Sequence, residues 1–77
     1  MPILKTFHVV FNSNRRGWDV KRGGAARASS HHRTKQEAIN AGRAMSRREG
    51  GELIIHNRDG RIARRDGHGN DPFPPPG

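Results

Sequence analysis

Nine basic side chains stand out by where they fall in the chain. Arg15 and Arg16 share one turn-like segment and Arg58 sits in another. Lys21, Arg61, Arg64 and Arg65 lie on segments that alternate like strands, and Arg43 and Arg47 on one that repeats like a helix. A guanidinium presents a planar fork of N–H donors that matches the oxygens of a phosphate, so clustered arginines carry the chemistry of polyanion binding. Several such contacts together give an affinity that falls steeply with salt. For any one arginine taken alone, a solvated charge that keeps a small domain soluble is the simpler account, so the expectation rests on the set.

The other reactive side chains assemble into less. His31 and His32 are adjacent and point different ways, with no cysteine and no suitably spaced third ligand, so no metal site is expected. Ser29 and Ser30 beside His31 resemble a triad only in chain order, because adjacency does not create hydrogen-bond geometry. Asp19, Glu37, Glu49, Glu52, Asp59, Asp66 and Asp71 all have ready roles in turns, caps or ion pairs, and 77 residues enclose little of a pocket. No catalytic residue, no cofactor and no enzyme activity are expected. His8 and His56 fall on strand-like segments and read as exposed or half-buried rings.

Charge narrows the class of partner. Lys and Arg total 15 against 7 Asp and Glu, a formal net charge of +8, which favours something acidic. Aromatic residues make up 5% of the chain and Trp18 is the one tryptophan, so the stacking platforms that hold single strands are largely missing. A duplex is therefore favoured over a single strand, and among duplexes DNA is expected over RNA. Two geometries would serve: a twisted antiparallel ribbon entering a major groove with Lys21, Arg61, Ala63 and Arg65 outward, or a helix laying Arg43 and Arg47 against phosphates. The alternative is a protein-interaction or regulatory module, a homodimer or one bound to an acidic protein, that uses an exposed sheet edge or face.

Those side chains need elements to hold them. Phe7, Val9 and Phe11 alternate with Thr6, His8 and Val10, the period of a half-buried strand over Lys5 to Phe11. Turn formers follow from Asn12 to Gly17, and Trp18 to Arg22 resumes alternation, predicting an antiparallel hairpin with Trp18 in the core beside Phe7 and Val20. From Gly23 to Arg33 no apolar period is sustained, and a loop is expected. Thr34 followed by Glu37 matches a capping box, and Ala38, Ala41, Gly42 and Met45 form a small-residue stripe, predicting a helix from about Lys35 to Arg48. Glu52–His56 and Arg61–Arg65 flank the turn-forming Asn57-Arg58-Asp59-Gly60 as a second hairpin.

The expected architecture is thus α+β: one small β-β-α-β-β domain over residues 1–67, an antiparallel sheet with one helix packed on one face. A Pro/Gly-rich tail over 68–77 follows it, with Phe73 folding back over a sheet edge or an exposed apolar patch. The alternative is that Pro72-Phe73-Pro74-Pro75-Pro76 serves as a polyproline segment for an aromatic groove. Only 30% of the chain is hydrophobic and it has no cysteine, so the core is thin and no disulfide reinforces it. No stretch approaches the roughly 20 apolar residues of a membrane span, and the first residues lack the layout of a secretory signal. A cytoplasmic location with no membrane partner is expected.

The segments Gly17-Trp18-Asp19-Val20-Lys21-Arg22, Ala28-Ser29-Ser30, Thr34-Lys35-Gln36-Glu37-Ala38, Leu53-Ile54-Ile55-His56, Asp59-Gly60-Arg61-Ile62 and Gly69-Asn70-Asp71-Pro72-Phe73-Pro74-Pro75 invite comparison. Together they resemble the small bacterial and phage family called domain of unknown function 2188, from about His8 to the end, with the closing run as the most specific part. The resemblance implies a compact strand-strand-helix-strand-strand domain akin to the YegP-like folds, and it implies no activity or catalytic residue. Phe11 stands where it implies a proline ending the first strand, and His68 where it implies a tyrosine.

Overall fold

The computed structural model describes residues 5–67. The expected tail, Phe73 and the departure at His68 lie outside the described residues. Six elements occur in the order β1 (Thr6–Asn12), β2 (Gly17–Arg22), β3 (Ser30–His32), α1 (Lys35–Glu49), β4 (Glu52–His56) and β5 (Ile62–Gly67). The strands form one sheet in the order β3-β2-β1-β4-β5, and the class is α+β.

Alternation in β1 sends Phe7 and Val9 to one face, where both are fully buried, with Phe11 half-buried beyond them. The antiparallel register with β2 places Val20 opposite Val9 and Trp18 opposite Phe11, so the expected hairpin forms and extends the same apolar face. Leu53 and Ile55 of β4 complete that face, and the helix covers it with Ala38 and Ile39. Gly42 is the point of closest approach: a Cβ there would lie 2.7 Å from Leu53 Cδ1, so only a residue without a side chain lets the helix sit this near the sheet. The helix ends are set by their caps. The Thr34 hydroxyl accepts the Glu37 N–H at 3.1 Å, and Gly50 closes the C-terminus in the left-handed conformation at φ 71°.

Two features of the sheet differ from the sequence expectation of four antiparallel strands. Residues 30–32 form a short edge strand inside the segment expected to be a loop, and β1 pairs with β4 in parallel, making the sheet mixed. The second follows from the first. Antiparallel to β2, β3 brings the chain to the end of the sheet where β1 finishes, and the helix then carries it back to where β1 begins. From there β4 can only run alongside β1 in the same direction. The second hairpin forms as expected, with β4 and β5 antiparallel and a bulge between Ile55 and His56. Its turn is held by Asn57 N–H to Arg61 O at 2.7 Å and by Asp59 Oδ1, which accepts the Arg61 N–H at 3.0 Å.

Candidate functional site

The topology gathers the end of β1, the start of β2, the end of β3, the start of the helix and the end of β4 at one end of the sheet. A concavity of about 670 Å³ opens there, lined by Phe11, Ser13, Arg16, Gly17, Trp18, Arg33 and Arg58. Each of its arginines comes from a different connection. Arg16 lies in the β1–β2 turn, where Asn12 Oδ1 accepts the Arg15 N–H at 3.2 Å and Arg16 itself takes φ 50°. Arg33 lies between β3 and the helix cap, and Arg58 in the β4–β5 turn.

The floor is aromatic and its open faces are covered by cations. Phe11 meets Trp18 edge-on, with ring centroids 5.2 Å apart at 62°. The Arg58 guanidinium lies 4.5 Å from the Phe11 centroid, and Lys35 Nζ lies 5.2 Å from that of Trp18. Lys35 Nζ also donates to Asn57 Oδ1 at 3.4 Å, linking the helix start to the second hairpin.

Ion pairing elsewhere sharpens the contrast. Glu49 accepts two hydrogen bonds from Arg22 and one from Lys5, and the Arg22 guanidinium holds its carboxyl down at about 2. Arg43 pairs with Asp66 at 2.9 Å, and Arg61 with Asp59 at 3.8 Å. Among the described residues no carboxylate makes an ion pair with Arg16, Arg33 or Arg58.

Of the nine side chains singled out by sequence, the fold brings Arg16 and Arg58 to the same concavity, with Arg15 beside them in the turn. The rest are dispersed. Lys21 and Arg65 stand on the sheet face opposite the helix, by their register with His8 and Ile54. Arg64 lies in register with Ile55, Arg43 bridges to β5, Arg47 is exposed in the last helical turn and Arg61 is exposed at the second turn. Arg33 and Lys35 were missed, although they flank the Thr34 cap that the sequence marks, and a cap fixes which end of a helix its neighbours occupy.

The histidines take two arrangements. In β3, alternation puts His31 on the face of Asp19 and sends Ser30 and His32 to the other. His31 Nδ1 meets Asp19 Oδ1 at 2.5 Å, while the Ser30 hydroxyl meets His32 Nε2 at 2.8 Å, so serine, histidine and aspartate do not join into a relay. Burial works to raise the Asp19 carboxyl, but hydrogen bonds from His31 and Asn12 and the charge of Arg15 outweigh it and hold the carboxyl below its ordinary value.

On the open face His8 Nδ1 lies 3.1 Å from His56 Nε2, with the rings stacked. His56 Nδ1 faces the Gly60 carbonyl at 3.2 Å, so it donates, and in neutral His56 Nε2 accepts from His8 Nδ1. His8 Nε2 in turn accepts from the Thr6 hydroxyl at 3.2 Å. Burial, then the neighbouring His56 and Lys21, push His8 below its ordinary 6.5.

No group of three or more His, Cys, Asp or Glu side chains is placed to hold a metal ion among the described residues. No helix there is long and apolar enough to cross a membrane. What fold and site define is a small α+β domain with one helix on a mixed sheet and an arginine-lined end.

The chain belongs to the family described as uncharacterized protein conserved in bacteria, domain of unknown function 2188, whose model matches residues 7–68. The Gly69–Pro75 run, on which the resemblance leaned most, falls outside that match. The chain is 38% identical over 61 residues to the uncharacterized protein YdaT of Bacillus subtilis (strain 168), a stretch that is 79% of this chain and 39% of that protein. It therefore spans well under half the length of that relative. No solved structure matches it.

Proposed function

We propose that the domain is an accessory nucleic-acid-binding module, without catalysis of its own, that grips duplex DNA phosphates at the concave end of its sheet. The observation that supports this most is the convergence of Arg16, Arg33 and Arg58 on one concavity, with no carboxylate paired to them among the described residues. Arg15 and Lys35 flank it and extend the cationic surface. Elsewhere Lys5, Arg22, Arg43 and Arg61 are matched by carboxylates, and the other cations the sequence singled out, Lys21, Arg47, Arg64 and Arg65, are dispersed rather than gathered at one place. With Phe11 and Trp18 already under Arg58 and Lys35, the rings offer little stacking surface to unpaired bases, which favours a duplex. A reducing cytoplasm suits a chain without cysteine.

Fluorescence-anisotropy titration of a labelled DNA duplex across a salt series tests the reading, with an RNA duplex and heparin as comparators. DNA should bind most tightly, with log affinity falling linearly against log salt. The triple variant Arg16→Ser, Arg33→Ser, Arg58→Ser should weaken binding by about tenfold or more and reduce the slope by about 3. Arg47→Ser with Arg48→Ser, in the last turn of the helix, should matter less. A triple variant that binds like the wild type overturns the reading.

A second reading draws on β5, which forms one edge of the sheet with Ile62 half exposed and Arg64 and Arg65 exposed. An acidic strand from another protein, or a second copy of the chain, would add along this edge. Equal weak binding to all three polyanions is the result that would favour it.

A further inference from the structure

The arrangement of the arginines carries a more specific statement about the ligand, one that rests on the phosphate-binding reading above. We propose that the concavity takes the terminal phosphate monoester of a nucleic-acid strand, so that the domain binds phosphorylated duplex ends in preference to duplex interiors.

Shape gives the first argument. The phosphates along an intact duplex are each flanked by sugars on both sides, so only their outward oxygens can meet the rim of a hollow. A strand end projects and can enter one. At about 670 Å³ the concavity has the size of a site for a nucleotide-sized ligand.

Charge and valence give the second. A diester has one negative charge and two non-bridging oxygens, whereas a terminal monoester carries roughly −1.5 to −2 at neutral pH and three acceptor oxygens. Arg16, Arg33 and Arg58 reach the concavity from three separate connections, so they surround a ligand on several sides, where arginines from one strand or helix would line a single side. Three forks are matched better by the greater charge and additional acceptor sites of a monoester than by those of a diester.

The walls give the third. Phe11 and Trp18 form a floor of low polarity, which strengthens charge interactions above it, and among the described residues no carboxylate lines the concavity to repel a dianion. Arg58 is held over Phe11, so one of the forks is positioned before the ligand arrives.

The test uses the unmodified full chain. Four labelled DNA duplexes of one sequence are titrated at fixed salt: one with 5′-phosphates, one with 3′-phosphates, one with hydroxyl ends, and one closed by hairpin loops at both ends. The expected result is that one or both phosphorylated duplexes bind about tenfold or more tightly than the hydroxyl-ended and closed forms, and the two phosphorylated arms identify which strand end is held. Arg33→Ser alone should erase most of that preference, and its effect on the closed duplex should be only the smaller loss that goes with one phosphate contact.

Equal affinity for all four duplexes overturns this proposal while leaving phosphate binding intact. Failure to bind any of them overturns both. A preference that survives both Arg33→Ser and the triple variant overturns the assignment of the terminal phosphate to this concavity.

Discussion

The hydrogen-bond chain from Thr6 through His8 and His56 to Gly60 tolerates one added proton and not two. When both rings are charged, two N–H donors face each other across 3.1 Å. The fold holds His8 below 6.5, so the folded state binds fewer protons at this site than the unfolded chain. The stabilisation is therefore complete above pH 6.5 and is lost as pH falls from 6.5 through the lowered His8 value. Urea midpoints measured across that interval should fall with pH for the wild type and flatten for His8→Gln. An equal slope in the variant would assign the dependence to other groups. Sequence alone showed the two histidines and not their pairing, because β1 and β4 are far apart in the chain and only their parallel register brings the rings together. Arg33 escaped notice for a related reason: nothing in the segment 23–33 signals that it ends at the aromatic floor.

Helix α1 is the element most legible in the sequence and the one whose position is most sensitive to a single methyl group. Its cap, its small-residue stripe and its glycine stop all follow from residues that can be read directly, and Gly42 shows what the stripe is for. Gly42→Ala gains roughly 1 kcal/mol of intrinsic helix propensity. Against that, the new Cβ meets Leu53 Cδ1 at 2.7 Å and Val9 Cγ2 at 3.5 Å, and overpacking of this kind costs about 1–3 kcal/mol. A net loss of about 1 kcal/mol is expected by urea denaturation, and a gain would show that the sheet yields easily. Strand β3 was the least legible element. Its three residues are half-buried and carry no apolar pattern, and their pairing rests on β2 with Asp19 and Trp18 opposite the two histidines. Periodicity detects strands that bury one face and is blind to a short edge strand of this sort.

At the scale of the whole molecule, a thin core is shared by every element except the edge strands. Phe7, Val9, Trp18, Val20, Leu53 and Ile55 come from the inner strands, and Ala38 and Ile39 come from the helix. The class and most of the element order could be read from alternation, caps and turns, because each is a local signal. The mixed sheet could not, since strand direction depends on where the intervening chain travels. That parallel seam has a thermodynamic consequence. Arg16 and Arg33 belong to the three strands on one side of it, while Arg58 belongs to the hairpin on the other. Any fluctuation that parts β1 from β4 separates the three guanidiniums, so only the closed form offers the complete cluster. Ligand binding and local opening are then linked equilibria, and an occupied cluster raises the free energy of opening by RT ln(1 + [L]/Kd). An anion bound there would act as a clasp across the seam, legible as slower amide hydrogen exchange at Val9 and Ile54.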